Sequence, residues 1–229
     1  MKLLIACWNQ SLLNKIAMKR KKHSFTGERP IFTGSPSIVQ GGFNLDVTKQ
    51  RFNVGDTIPA GTLAIYDEQT RLVSVVKTAK VVEVDGDDKK IVRLLVDEFF
   101  APCFAVGDKV AKAGAISGTF ADAVSISKIE AKNENYIITL SKEITGLAKD
   151  DVLVEVVEKS SNAAEIGEAN AVTIYDVEVS EFETGIDVSA DTMQYAMYER
   201  RVPPIPASQK DTTGKFLKAN PHVKLTQSF

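Results

Sequence analysis

Few side chains of this 229-residue chain have the type and spacing that catalysis needs. The two histidines, His23 and His222, sit near opposite ends, so a histidine-centred triad would have to be assembled from terminal segments. There is no His-Glu-x-x-His motif and no Cys/His cluster with zinc-ligand spacing, and no metal site is expected. Cys7 and Cys103 lie far apart and form no Cys-x-x-Cys pair. Cys103 falls in the apolar bend Phe99-Phe100-Ala101-Pro102-Cys103-Phe104 with no histidine nearby, and reads as a small buried residue rather than a nucleophile. Asp211-Thr212-Thr213-Gly214-Lys215-Phe216 has the Gly-Lys of a phosphate loop, but Gln209 stands where the first glycine belongs and Phe216 replaces the Ser/Thr.

The acids do not converge either. Neighbours on a strand point to opposite faces, so Asp97-Glu98 and Asp150-Asp151 do not meet at one substrate atom. Only distant carboxylates brought together by the fold would serve a glycosidase. Asp85, Asp87 and Asp88 lack the closing Glu of a calcium loop, with Lys89-Lys90 following instead, and read as a solvated turn. On the strand expected over 193–202, Tyr195, Met197, Glu199 and Arg201 share a face. Ordinary β packing accounts for it, with a sugar- or protein-contacting face as the other reading. No catalytic residue and no cofactor is expected, so the chain is read as a non-enzyme.

The elements around these residues are strands. Val54-Gly55-Asp56 is a turn, since glycine takes positive φ and the Asp side chain bonds nearby amides. Thr57-Ile58 starts an extended run, Pro59-Ala60-Gly61 turns the chain again, and Thr62 to Tyr66 is a strand. The pattern returns at Val106-Gly107-Asp108 and, more weakly, from Gly146 to Leu153. Hairpins are expected from Lys80–Val84 to Lys90–Val96 and from Val124–Ala131 to Asn135–Leu140, with further strands at 151–157 and 171–179. The fold class is therefore all-β: a compact β-barrel or β-sandwich-like domain with an extended N-terminal arm and a flexible C-terminal tail. The organisation reads as an arm over 1–42, a main β domain over 43–157, and a linker or short helix over 158–170. A β-hairpin region over 171–206 packs on the main domain, and 207–229 is the tail.

Composition bounds the partners. Hydrophobic residues make up 44% of the chain, enough for a sizeable core, and aromatics only 7%, so that core is mainly aliphatic. A net charge of −2 argues against a general nucleic-acid binder. No run approaches the roughly 18 apolar residues of a membrane helix. Residues 1–23 carry six basic residues and no acid. Leu4-Ile5-Ala6-Cys7 matches the pattern before a lipoprotein cysteine, but four apolar residues fall short of a signal peptide's roughly 7–15. Two readings of residues 1–17 stay open: an upstream start with Met18 as the true one, and a short amphipathic arm built on Leu3, Leu4, Cys7, Trp8, Leu12 and Ile16. Along 19–42, Phe25, Ile31, Phe32, Ile38 and Val39 stand isolated among glycines and prolines. They read either as anchors on another chain's surface or as a leader folding back on its own domain.

The run Val54-Gly55-Asp56-Thr57-Ile58-Pro59-Ala60-Gly61-Thr62-Leu63, then Ile137-Ile138-Thr139-Leu140, Asp150-Asp151-Val152-Leu153 and Thr173 to Val179, resembles the head-decoration and head-fibre proteins of tailed bacteriophages, particularly those of Bacteroidales phages and prophages. The resemblance spans roughly residues 43–206. It implies a non-enzymatic subunit, commonly a homotrimer, on the virion capsid surface, made in the bacterial cytoplasm, whose arm touches the major capsid protein. No nucleic-acid and no membrane partner is implied. The chain is about twice as long as the smallest decoration proteins, which favours a head-fibre-like version. The alternative is a cell-surface carbohydrate- or protein-binding β module, for which a secretion signal and clustered aromatics are missing from the sequence. A biotinyl or lipoyl carrier shares the Val-Gly-Asp turn but would need a modifiable Lys in a Met-Lys-Met or Asp-Lys-Ala context, and neither occurs.

Overall fold

A computed structural model describes residues 30–34, 38–132, 135–189, 196–210 and 215–227. The first strands are β1 (Ile38–Leu45), β2 (Thr57–Ile58), β3 (Leu63–Asp67) and β4 (Leu72–Val75). The middle of the chain supplies β5 (Thr78–Val84), β6 (Ile91–Leu94), β7 (Lys109–Lys112), β8 (Val124–Lys132), β9 (Asn135–Leu140), β10 (Val152–Lys159) and β11 (Asn162–Glu165). Then follow β12 (Ala171–Val172), β13 (Val177–Glu178), β14 (Gly185–Ser189), β15 (Ala196–Tyr198), the short helices α1 (Ala207–Lys210) and α2 (Lys215–Ala219), and β16 (Lys224–Thr226).

These strands form two barrels, one inserted in the other. Strands β5 to β11 make a sheet in the order β11-β10-β5-β6-β9-β8-β7, and β10 also pairs with β7 from Leu153↔Lys112 to Val156↔Lys109. That last pairing closes six of the strands into a barrel, which leaves no open edge among them. The flanking segments form a five-stranded sheet, β12-β3-β4-β1-β14, in which β1 and β4 are parallel. It too is drawn shut, by a Thr173↔Val188 bridge and by Val172 N–H donating to Ser189 Oγ at 3.0 Å. The compact all-β expectation therefore holds, but the division of the chain differs. Residues 43–76 do not belong with the rest of 43–157; they pair with 171–189 instead. Such pairings across a hundred residues leave no local trace in sequence.

Each barrel has its own interior. Phe43, Leu45, Ile58, Val73, Val75 and Ile186 are among those that fill the first, and Val81, Leu94, Phe104, Ile126, Ile138 and Leu153 among those that fill the second. A third apolar layer lies outside both, joining Val76 and Val154 to Ile31, Phe32, Met197, Val202, Ile205, Phe216 and Val223. It explains why β10 reads as an almost unbroken apolar run. Leu153 faces the barrel interior and Val154 this outer layer, so both faces are buried.

The segment 207–227, expected as a flexible tail, packs into that outer layer where it is described, through Phe216 and Val223. Phe216 is fully buried, and Asn220 Nδ2 donates to Asn170 O and Phe216 O at 3.1 Å each. β16 runs parallel to β15. The apolar residues of this segment are too irregularly spaced to show a period. The expected linker 158–170 contains β11 instead, which returns on β10 through Ser160 and Ser161 at φ 52° and 66°, the backbone of a type I′ hairpin turn. The strand expected over 171–179 breaks into β12 and β13, and that over 193–202 is described only from Ala196, giving way to a 3₁₀ turn at Glu199–Arg201.

Three turns share one geometry: Asn53–Asp56, Ala105–Asp108 and Ala148–Asp151. In each, the third residue has positive φ: Gly55 at 86°, Gly107 at 92° and Asp150 at 71°. Its N–H donates at 2.8 Å to one cross-strand residue, Val179, Ile126 or Val81, whose own N–H returns to the fourth residue's carbonyl. The fourth residue is always Asp, and its carboxylate accepts from the first: from Asn53 Nδ2, Ala105 N and Ala148 N at 2.7–2.8 Å. The repeat seen in sequence is thus a structural unit, with Asp150 rather than Gly146 at the glycine position of its third copy. An L-residue there is strained, so Asp150→Gly is expected to stabilise the fold by about 0.5–1 kcal/mol in urea unfolding. The lost Asp150–Lys80 pair is exposed and offsets little.

Candidate functional site

The densest set of ionisable groups lies where the two barrels meet. Lys77 is in the short link between β4 and β5, so it passes from the first barrel to the second, and its side chain is fully buried. Nζ lies 2.7 Å from Asp108 Oδ2 and 3.3 Å from Glu155 Oε1, and donates to the carbonyl of Arg51. The Phe52 ring sits 4.3 Å from Nζ and completes its cover. Asp108 comes from the second of the repeated turns, and Glu155 from the doubly buried strand β10. Gln50 ties the set to the first barrel. Its amide exchanges hydrogen bonds with Val75 N and O at 2.9 and 2.8 Å and donates to Glu155 Oε2.

One ammonium thus faces two carboxylates at a site where the three side chains are 0%, 1% and 6% exposed. Asp108 Oδ2 also accepts Ala105 N–H at 2.8 Å, while the buried Oδ1 has no partner among the described residues. Burial pushes the Glu155 carboxyl up to about 7, with Lys77 pulling the other way and the Asp108 charge adding to the rise. Cys103 lies near the set, and burial pushes its thiol up to about 12, which leaves it an unreactive thiol at neutral pH. Beside the cluster runs a groove of about 530 Å³ lined by Lys49, Arg51, Lys109, Phe120 and Lys159, with Asp108 and Glu155 at its wall. Arg51 covers Gly107 so closely that a Cβ there would stand 2.5 Å from Nη1; with φ at 92°, only glycine suits this position.

The residues singled out from sequence lie elsewhere. Ile31 and Phe32 are 5% and 3% exposed, packed in the outer apolar layer of their own chain. Phe32 bridges to Met197, and Pro30 O accepts from Arg201 Nη1 at 3.0 Å. In this conformation Ile31 and Phe32 are held by the chain itself. Ile38 opens β1 half-buried; Phe25 and the side chain of Val39 lie outside the described residues, as do residues 1–17.

The motif turn divides into two parts. Pro59 and Gly61 form a packing knot: Pro59 O accepts Thr62 Oγ1 at 2.6 Å and Thr173 Oγ1 at 2.9 Å, and a Cβ on Gly61 would meet Val202 Cγ1 at 2.1 Å. Val54, Gly55 and Asp56 form a surface tip, with Val54 56% exposed. Two neighbouring loops end there. Gly55 N–H bonds Val179 O at 2.8 Å and Leu45 N–H bonds Thr184 O at 2.9 Å, which brings the turn after β1 and the loop 180–184 to the same end of the first barrel. Val47 and Phe182 on those loops are 62% and 90% exposed.

Sequence reading missed Gln50, Lys77, Asp108 and Glu155 as a set. The signal was present in part, as a Lys between Val75-Val76 and the next strand and a Glu inside Val152–Val157, but nothing local pairs them. Among the described residues no group of three or more His, Cys, Asp or Glu is placed to hold a metal ion. No protein-family model, curated protein or solved structure matches this chain.

Proposed function

We propose that this chain is a structural virion protein that binds the outside of a tailed-phage capsid as a decoration or head-fibre subunit, with the three-loop end of the first barrel as its contact face. The observation that carries this reading is the grouping of Val47, Val54 and Phe182 at that end. A large side chain left 90% in water is held there by a turn and two backbone bonds, and apolar side chains grouped at one end of a domain mark sites of protein contact. The tip carries Val54-Gly55-Asp56, the centre of the resemblance, so motif and exposed surface coincide. The ionisable groups that do come together are almost wholly buried where the two barrels meet. Weak contacts of this size hold well on a lattice, because many copies, or a homotrimer with three tips, bind at once.

The test is co-sedimentation with capsids assembled from a tailed-phage major capsid protein of the genome that carries this chain. Wild-type protein should pellet with capsids, and Phe182→Asp with Val54→Asp should stay in the supernatant while keeping its thermal midpoint. Light scattering reads the oligomer directly. Wild-type protein that stays in solution with capsids at micromolar concentration would overturn the reading.

A further inference from the structure

We infer that Lys77 and Asp108 join through an intramolecular amide bond between Nζ and Cγ, formed by the protein itself with Glu155 as the proton carrier. The three groups stand as reactants: Nζ is 2.7 Å from Asp108 Oδ2 and 3.3 Å from Glu155 Oε1, in a site where Lys77, Asp108 and Glu155 side chains are 0%, 1% and 6% exposed. Reaction needs about 3–3.5 Å between the attacking and attacked atoms. A small turn of the ammonium end brings Nζ from Oδ2 to the carbon it adjoins.

The chemistry closes without any added reagent. Glu155 takes one proton from the Nζ ammonium, and the freed amine pair attacks Cγ. Ala105 N–H, already on Oδ2 at 2.8 Å, holds the oxyanion that develops there. Oδ1, which has no partner among the described residues, is the oxygen free to leave. Two of the three ammonium protons pass through Glu155 to Oδ1, the C–Oδ1 bond breaks, and one water departs. An ammonium and a carboxylate become an amide plus water, with no net change of charge. Burial helps at each stage. A carboxyl pushed up to about 7 both accepts and returns a proton near neutrality. A dry site favours the neutral amide over the ion pair it replaces, since burying paired ions carries a desolvation cost. The neighbouring groove gives the water a way out, and Asp108 and Glu155 form part of its wall. The product would tie the β4–β5 link to the turn that starts β7, adding a covalent cross-link where the chain passes from one barrel to the other.

The experiment is intact-mass spectrometry on the purified full chain, followed by tryptic mapping. The expected mass is that of the sequence less one water, with no cleavage after Lys77 and a branched peptide containing both Lys77 and Asp108. Glu155→Gln, which keeps shape and hydrogen bonding, should slow the loss of water by about 10²–10⁴-fold. Asp108→Ala should abolish it, with folding checked by circular dichroism. Folded wild-type protein at the full sequence mass after prolonged incubation overturns the inference. So does a water loss located in a succinimide with Lys77 still open to trypsin.

Discussion

Lys77→Met is expected to lower the unfolding free energy by about 3–5 kcal/mol, read as a reduced urea midpoint at pH 7.5. The native site holds one cation against two carboxylates with no exposed surface on the cation. Without it, Asp108 and Glu155 face each other in a dry site, and each must take up a proton or draw water into the joint. Arg51 O loses a donor and Phe52 a cation. The loss measures the uncompensated carboxylates rather than the worth of the pair. The triple variant Lys77→Met, Asp108→Asn, Glu155→Gln, which removes all three charges and keeps acceptors for Ala105 and Gln50, should therefore recover part of it. A Lys77→Met protein within about 1 kcal/mol of wild type would mean that the joint does not depend on this cluster. If the amide has formed, the same substitution also removes a covalent tie, and the loss lies at the upper end.

Stability should fall as pH rises from 4.5 to about 7, opposite to the usual acid lability of a carboxylate. Burial raises the Glu155 pKa from 4.5 to about 7, so the folded chain binds that proton more tightly than the unfolded one. Below 4.5 both states are protonated and the contribution is complete. Between the two values it is lost, and above 7 both states are ionised and the full penalty of about 3 kcal/mol stands. Asp46, Asp67, Asp85, Asp150 and Asp151 act the other way. Their pKa values lie below the ordinary 3.8: at Asp46 desolvation is the largest single influence and pulls upward but is outweighed by hydrogen bonds from Thr48 and Lys49, and at the others hydrogen bonds from Gln69, Asp88, Lys80 and Lys112 respectively lead, against weaker desolvation. Their stabilisation is lost only as pH falls below that value, so the thermal midpoint should peak near pH 4–5. Glu155→Gln should flatten the slope between 4.5 and 7 and leave the acid limb intact. A slope that survives this substitution would assign it to another group.

The strands of the second barrel could be read largely in advance. Its two hairpins join segments close in sequence, so β-branched runs and a turn such as Asp85–Asp88, where Asp85 Oδ1 accepts two following amides, carry enough information. The first barrel was legible only in part: the sequence marked β3, β4 and the run 171–179 but neither β1 nor β14, and β3 finds β12, and β1 finds β14, only across the inserted strands β5 to β11. The Val-Gly-Asp turns were visible as a repeat. Their shared hydrogen-bond scheme, and the place of Asp150 in it, needed the cross-strand partners Val179, Ile126 and Val81.

By itself, then, the sequence determined the all-β class, the turns and the lack of local catalytic motifs, since these follow from residue type and short-range spacing. Only the tertiary structure decided that Ile31, Phe32, Phe216 and Val223 share an apolar layer outside both barrels, and that Val47, Val54 and Phe182 share one exposed end. The same holds for the site at the joint. Lys77, Asp108 and Glu155 are separated by 31 and 47 residues, and a charge becomes chemically distinctive only when folding removes it from water and sets its partners against it.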